Sequence, residues 1–274
     1  KEKADYKKFI KTADKKIVFY SEKNGFYKYY KNIIEEIIRR TNIVIHYITS
    51  DPEDEVFGME SDQFKPYYIG EHRMIVLMMK METDIMVMTT PDLENFQLKR
   101  SYVQKDIEYI YVQHDVNSSN LTFHKDALDH YDTIFTSGPK NKCEIAEREE
   151  KYGLPAKNLV EWGSSVIDNM TKAYEEMVRE DGSEGKKDKT VLIAPSWQKD
   201  NILDSCIEGM LDELVKTPYH IIVRPHPQYV RHYEARIDAL AARYQEQGVT
   251  FQKDFSSNKT VYTADILVTD WSSI

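Results

Sequence analysis

Short apolar, β-branched runs alternate with helix-period segments along almost the whole chain, and this alternation restricts the fold more than any other feature. Residues 16–20, 43–48, 85–88, 109–112 and 133–136 read as buried strands. Between several of them lie helix patterns: 29–40, with Ile33, Ile34, Ile37 and Ile38 on one face, and 140–152, with Gly153 and Pro155 as stop signals. Strands separated by helices pair in parallel, and a parallel sheet must be covered on both faces. The pattern pauses at 170–189, where a charged helix gives way to the polar, glycine-containing EDGSEGKKDK, a linker or hinge by composition. It restarts with strand 190–194, helix 202–215, strand 220–223, helix 233–247 and strands 249–252 and 266–269. The expectation is an α/β chain of two Rossmann-like lobes with parallel sheets and a cleft between them. The lobes are residues 1–169 and 190–274, joined by the linker at 170–189. The second lobe is short and stops at the tip of a strand with no crossover helix to follow, so it reads as incomplete.

Composition narrows the function classes. The chain of 274 residues is 41% hydrophobic and 12% aromatic, values of a globular protein. Its longest apolar candidate, 74–81, is interrupted by Lys80 and followed by Glu82 and Asp84, short of the roughly 18–20 residues a bilayer span needs. No signal peptide is visible. Cys143 and Cys206 stand far apart in no metal-like spacing, which suits free thiols in a reducing compartment. A net charge of −9 argues against general nucleic-acid binding, but the first forty residues carry twelve Lys/Arg against six Asp/Glu. The basic arm KEKADYKKFIKTADKK suits an anionic membrane surface, each basic residue contributing about 1 kcal/mol there; a solvated helix face is the plainer alternative. P-loop and dinucleotide fingerprints are absent, and His114, His124 and His130 match no common zinc spacing.

In open α/β sheets ligands bind beyond the carboxyl ends of the strands, so the residues just after each strand are where chemistry is sought. His114 follows Tyr111-Val112-Gln113, and an imidazole suits general acid or base work at neutral pH; a structural hydrogen-bonder is the competing reading. After strand 220–223 comes Arg224-Pro225-His226-Pro227. Its two prolines stiffen the loop and set a permanent cation, matched to phosphate, beside an imidazole. Asp270, Ser272 and Ser273 in Thr269-Asp270-Trp271-Ser272-Ser273 offer donors to phosphate oxygens, although Ser and Asp are also ordinary helix caps. Ser196 and Trp197 in APSWQ, and Ser137 and Gly138 in TSG, with Gly163-Ser164-Ser165 soon after, are compatible with ligand approach and with plain turns.

Taken in order, QHD at 113–115, TSG at 136–138, EWGSS at 161–165, APSW at 194–197, RPHP at 224–227 and TDWSS at 269–273 resemble the CDP-glycerol glycerophosphotransferase family of teichoic-acid and capsule synthesis. The resemblance runs from about residue 109 to 274, and residues 1–108 match in general architecture. It implies a GT-B-like fold whose C-terminal lobe holds the nucleotide. It also implies catalytic roles for His114 and His226, with Arg224 at the diphosphate and Ser272 and Ser273 on phosphate oxygens. The donor would be CDP-glycerol and the acceptor a hydroxyl of a lipid-linked glycerophosphate-type polymer. No metal or other cofactor is implied, and the place of work would be the cytoplasmic face of the membrane, held peripherally. Asp115 stands where the family usually has Gly, and Gln198 where it usually has Arg. Two other readings stay open: a GT-B nucleotide-sugar glycosyltransferase or UDP-sugar epimerase, and a catalytically silent nucleotide- or polymer-binding lobe of a larger synthase.

Overall fold

The computed structural model describes residues 1–181, 189–254 and 259–272. The chain divides into two compact units, Lys1–Lys172 and Ala173–Ile274. The first holds β1 (Ile17–Ser21), β2 (Ile45–Thr49), β3 (Phe64–Tyr68), β4 (Ile85–Met88), β5 (Glu108–Val112), β6 (Thr133–Thr136) and β7 (Asn158–Glu161). They form one sheet in the order β3-β2-β1-β4-β5-β6-β7, with every pairing parallel. Successive residues of β1 serve opposite faces. Val18 and Tyr20 join a core with Met74, Met78, Met86 and Tyr109, while Ile17 and Phe19 join another with Tyr30, Ile34, Tyr47 and Val87. That double burial is why the inner strands are mostly apolar.

The strands legible from pattern are present within a residue or two of their expected ends. Two more, β3 and β7, are the sheet's edges. Pro66 interrupts the β3 pattern, and only an edge strand tolerates its missing N–H. Helix Glu2–Lys11 covers that edge. Asp5 accepts a hydrogen bond from the Tyr68 backbone N–H at 3.0 Å, and Glu2 one from Gly70 at 3.1 Å. Phe9, 1% exposed, meets the Tyr67 ring edge-on at 5.2 Å. The basic arm is therefore a packed element that shields unpaired strand groups.

The second unit holds β8 (Thr190–Ile193), β9 (His220–Val223), β10 (Thr250–Phe251) and β11 (Ile266–Val268) in the parallel order β10-β9-β8-β11. Its core gathers Val191, Ile193, Leu211, Val223, Ile237 and Tyr244. The helix expected at 202–215 is two helices, Ile202–Ser205 and Ile207–Leu214, because Cys206 (φ −140°, ψ 4°) leaves the helical basin. The one expected at 233–247 begins earlier, at Pro227, since proline fits a first helical position, and Tyr233 marks a kink instead of a start. Helix Ser165–Asp181 runs into the segment read as a linker, of which 182–188 lie outside the described residues. Both cysteines are free and exposed. Among the described residues no helix is long and apolar enough to cross a membrane.

Candidate functional site

Strand order in the second unit reverses between β8 and β11, with β9 on the other flank of β8. The loops after β9, β8 and β11 therefore leave one carboxyl edge side by side, the place where open α/β sheets bind ligands. Hydrogen bonds join them. The Arg224 N–H donates to Ile193 O (2.8 Å), the Ala194 N–H to Val268 O (2.9 Å), and the Thr269 hydroxyl to Ala194 O (2.8 Å). Asp270 fastens the β11 and β8 loops by accepting from the backbone N–H groups of Ser196 (2.6 Å) and Ile202 (2.9 Å). Burial works to raise its pKa, but the Ile202 and Ser196 donors outweigh burial and hold the carboxyl below its usual range.

Arg224 is 8% exposed, and its guanidinium donates to the Thr260 hydroxyl at 3.1 Å. Thr260 in turn donates to Gln252 Oε1 at 2.7 Å, and the Gln252 N–H pairs with Val223 O at 2.8 Å. Two residues on, His226 adopts the extended backbone that Pro227 imposes, φ −61° and ψ 140°. Its Nδ1 accepts from the Gln228 N–H at 3.1 Å and so caps helix Pro227–Tyr244. A backbone N–H can only donate, so the proton of the neutral ring sits on Nε2. Burial lowers the ring's pKa and favours that neutral form. Trp197, 45% exposed, lies nearly parallel to the His226 ring, at 27° with centroids 6.2 Å apart. A buried cation, a neutral N–H donor and an open indole face thus share one sheet edge, a set suited to a phosphate beside a flat ring. Ser196 is buried there and Ser272 half-buried, while Ser273 lies outside the described residues.

In the first unit His114 follows β5 directly after Gln113. Its ring rests against Tyr29 (centroids 5.2 Å) and Phe26 (6.5 Å), at the start of helix Tyr27–Arg40. Nε2 stands 3.5 Å from an Asp115 carboxylate oxygen. Nδ1 is buried with no hydrogen-bond partner among the described residues, a costly state that an incoming hydroxyl or water would relieve.

The loop that carries His114 is held by buried polar groups that the motifs do not reveal. Gln113 donates to the Ser119 hydroxyl (3.3 Å) and accepts from the Ser137 N–H (3.4 Å). Asn141 donates to Asn117 O (2.7 Å) and to Ser119 Oγ (3.1 Å), and accepts from the Ser137 hydroxyl (2.6 Å). Glu144 accepts from the Ser118 hydroxyl (2.8 Å) and the Ser119 N–H (2.7 Å). The one available sequence signal is the spacing of Ser137, Asn141 and Glu144 around the first turns of helix Pro139–Tyr152, which puts them on one face. Gly163 takes φ 93°, which favours glycine, so that its N–H and that of Trp162 both reach Thr136 O. The structure thus groups Arg224, His226, Ser196, Trp197 and Asp270 in the second unit, and His114, Ser137 and Gly138 in the first. Among the described residues no three His, Cys, Asp or Glu side chains gather as a cation site.

Solved structures place the fold. The wall teichoic acid polymerase TagF aligns with a TM-score of 0.55 at 14% identity, covering 94% of this chain and 66% of that one. The chain thus spans a little under two thirds of TagF's length. UDP-GlcNAc 2-epimerase from Neisseria meningitidis aligns at 0.62 and 12% identity, covering 93% of this chain and 77% of that one. UDP-N-acetylglucosamine 2-epimerase from Rickettsia bellii aligns at 0.59 and 13%, covering 94% and 74%. These likenesses show a GT-B-like α/β fold. No curated protein matches the sequence. Over residues 4–274 the chain matches the model of the CDP-glycerol:poly(glycerophosphate) glycerophosphotransferases, and it belongs to that family.

Proposed function

We propose that the chain transfers glycerol phosphate from CDP-glycerol to a hydroxyl of a wall or capsule polymer and releases CMP. The observation that carries this reading is the grouping of Arg224, His226 and Trp197 at the switch point of the second sheet. The diphosphate would meet the guanidinium and the Nε2–H, and the Trp197 face would take a flat ring. Family membership supports the donor class, and a TagF variant structure obtained from a CDPG soak aligns with this chain at a TM-score of 0.52.

In the proposed reaction the acceptor oxygen attacks the glycerol-bearing phosphorus, and the bond from that phosphorus to the CMP oxygen breaks. His114, whose Nδ1 lacks a partner among the described residues, takes the hydroxyl proton, an effect of about 10²–10⁴-fold for a well-placed base. Arg224 and the His226 Nε2–H neutralise the charge that gathers on departing CMP. Ser272 and Ser273 are assigned to phosphate oxygens, and no metal or cofactor enters the scheme. The acceptor is proposed to be lipid-linked, with the chain held peripherally on the inner membrane face. Incubation with CDP-glycerol, CDP-ribitol and UDP-sugars tests the reading. CMP release from CDP-glycerol that depends on acceptor is expected; UDP release instead would favour sugar chemistry, and release from none would favour a silent binding lobe.

A further inference from the structure

Neither Asp204 nor Tyr229 stands in a strand-end motif, yet hydrogen bonds tie both to the loops that carry Trp197 and His226. Asn201 closes the loop after β8 and caps helix Ile202–Ser205, its side-chain oxygen accepting from the Asp204 N–H at 3.2 Å. Its amide nitrogen donates to Gln198 O, next to Trp197, at 2.7 Å and to Asp204 Oδ2 at 2.9 Å. On the other flank, Tyr229 lies in the first turn of helix Pro227–Tyr244. Its N–H donates to His226 O at 2.8 Å, and its hydroxyl donates to Asp204 Oδ1 at 2.6 Å. One carboxylate therefore closes a circuit whose other side is the near-parallel contact of the Trp197 and His226 rings.

The chemistry of that link is not that of a surface ion pair. Asp204 is exposed, but the donors it serves are buried, Tyr229 at 1% and Asn201 at 3% exposure. An ionised carboxylate only accepts, with an oxygen for each, and bonds to it are stronger than bonds to a neutral acceptor. Burial, and after it the bond to Asp204, raises the Tyr229 pKa, so the phenol keeps the proton that it donates. Arg236, beyond the kink at Tyr233, adds a second tie between the same helices. It donates to Leu203 O at 2.6 Å, and its Nε stands 3.7 Å from Asp204 Oδ1. Asp270 fastens the β8 loop to the β11 loop; Asp204 fastens it to the His226 side.

We infer that Asp204 is a positioning residue of the donor site: through Tyr229 and Asn201 it fixes the separation and tilt at which one nucleotide can meet the Trp197 face and the His226 Nε2–H together. The inference rests on the glycerophosphate-transfer reading for the identity of that nucleotide. Asp204 touches no substrate and acts only through the two loops. Without it the Tyr229 hydroxyl loses its acceptor, and the turn that carries His226 is free to move relative to Trp197.

The test uses the full chain and two readouts. NMR cross-relaxation between the labelled Trp197 and His226 rings reports their spacing, and calorimetry with CDP-glycerol reports donor affinity. Tyr229→Phe keeps the buried ring and removes one hydroxyl; Asp204→Ala removes the acceptor. Both should weaken or abolish the ring-to-ring signal. A bond to a charged group is equivalent to about ten- to a hundredfold in an equilibrium, and donor binding draws on part of it, so each variant should bind CDP-glycerol about tenfold more weakly. Because both changes break one link, the double variant should bind no more weakly than either single. Wild-type ring contact and affinity in Tyr229→Phe, even with a lower melting temperature, would make the link structural only and overturn the proposal. Losses that add in the double variant would overturn it too. Should Asp204→Ala fail to fold, Tyr229→Phe decides by itself. Failure of the wild type to bind CDP-glycerol strikes the donor reading, whereas the ring-to-ring signal still shows whether Asp204 positions the two loops.

Discussion

The Arg224 guanidinium is almost wholly buried and still charged, because arginine does not shed its proton at any pH a cell reaches. A lysine there would keep the charge and lose the planar fork that reaches Thr260 and that the proposed function turns toward a phosphate as well. A hydrogen bond to a charged group contributes about 1.5–3 kcal/mol, so Arg224→Lys should weaken CDP-glycerol binding by roughly ten- to a hundredfold in calorimetry. Unchanged affinity in both Arg224→Lys and Arg224→Ala would remove Arg224 from the diphosphate site. His226 allows a cleaner separation, since its Nδ1 caps a helix while Nε2 is the proposed donor. Asparagine caps helices well and histidine's reach is lost with it. His226→Asn should therefore melt near the wild type yet transfer poorly, whereas His226→Ala should also lose about 1 kcal/mol of stability. Normal turnover in His226→Asn would leave the residue a cap and nothing more. His46 bears on pH. It is 4% exposed, hydrogen-bonded to Tyr67 at 3.1 Å, and its pKa is lowered to about 4 by burial and then by Lys15 and Lys65. The unfolded chain binds that proton near pH 6.5, so the unfolded state gains protons first as pH falls. The contribution of a neutral His46 is thus fully present above about pH 6.5 and is lost as pH drops through 4. Melting curves at pH 7.5 and 5 should show a larger fall for the wild type than for His46→Gln; equal falls would contradict the assignment.

At the scale of elements, the inner strands β1, β2, β4, β5 and β8 were legible because both their faces are largely buried and their runs are mostly apolar, the buried His46 interrupting β2. β3 and β7 were not, because an edge admits Pro66 in one and the exposed Asn158 and Glu161 in the other. The helix stop at Gly153 was legible for a specific reason: its φ of 63° is a left-handed cap that favours glycine. The loops of the second unit were legible as candidates by their place after strands. What they do was less so: nothing in TDWSS announces that Asp270 accepts from two backbone donors and joins β11 to β8. The network behind His114 was hidden for the same reason, since Gln113, Asn141 and Glu144 are ordinary polar residues until folding buries them together. Asn141→Ala would leave Asn117 O without its donor and the Ser137 hydroxyl without its acceptor, at a cost of about 1–3 kcal/mol for buried polar groups. If the network positions the His114 loop, kcat should fall in this variant while CDP-glycerol affinity, which the proposed function assigns to the second unit, stays at the wild-type value. A loss of stability with kcat intact would make the network structural only.

Across the whole molecule charge is distributed unevenly, and the structure shows which basic residues are available to a surface. Lys3, Lys7 and Lys11 fall four residues apart along helix Glu2–Lys11, on one exposed face with Ile10, which is 50% exposed. Lys8 is 3.6 Å from Glu60 and contributes less. The opposite side is committed to the fold through Glu2, Asp5 and Phe9. Deleting the helix is therefore a poor test of membrane attachment, because it would uncover β3 and remove a core aromatic along with the charge. The triple variant Lys3→Gln, Lys7→Gln, Lys11→Gln keeps those contacts and removes only the exposed charges. At about 1 kcal/mol for each basic residue near an anionic leaflet, it should bind phosphatidylglycerol-containing vesicles on the order of a hundredfold more weakly than the wild type. Wild-type co-sedimentation should itself fade at 1 M salt, where the Debye length is about 3 Å, and should be absent with purely zwitterionic vesicles. Sedimentation indifferent to salt, or equal in the triple variant, would mean that this face is solvated and that attachment, if it occurs, uses another surface.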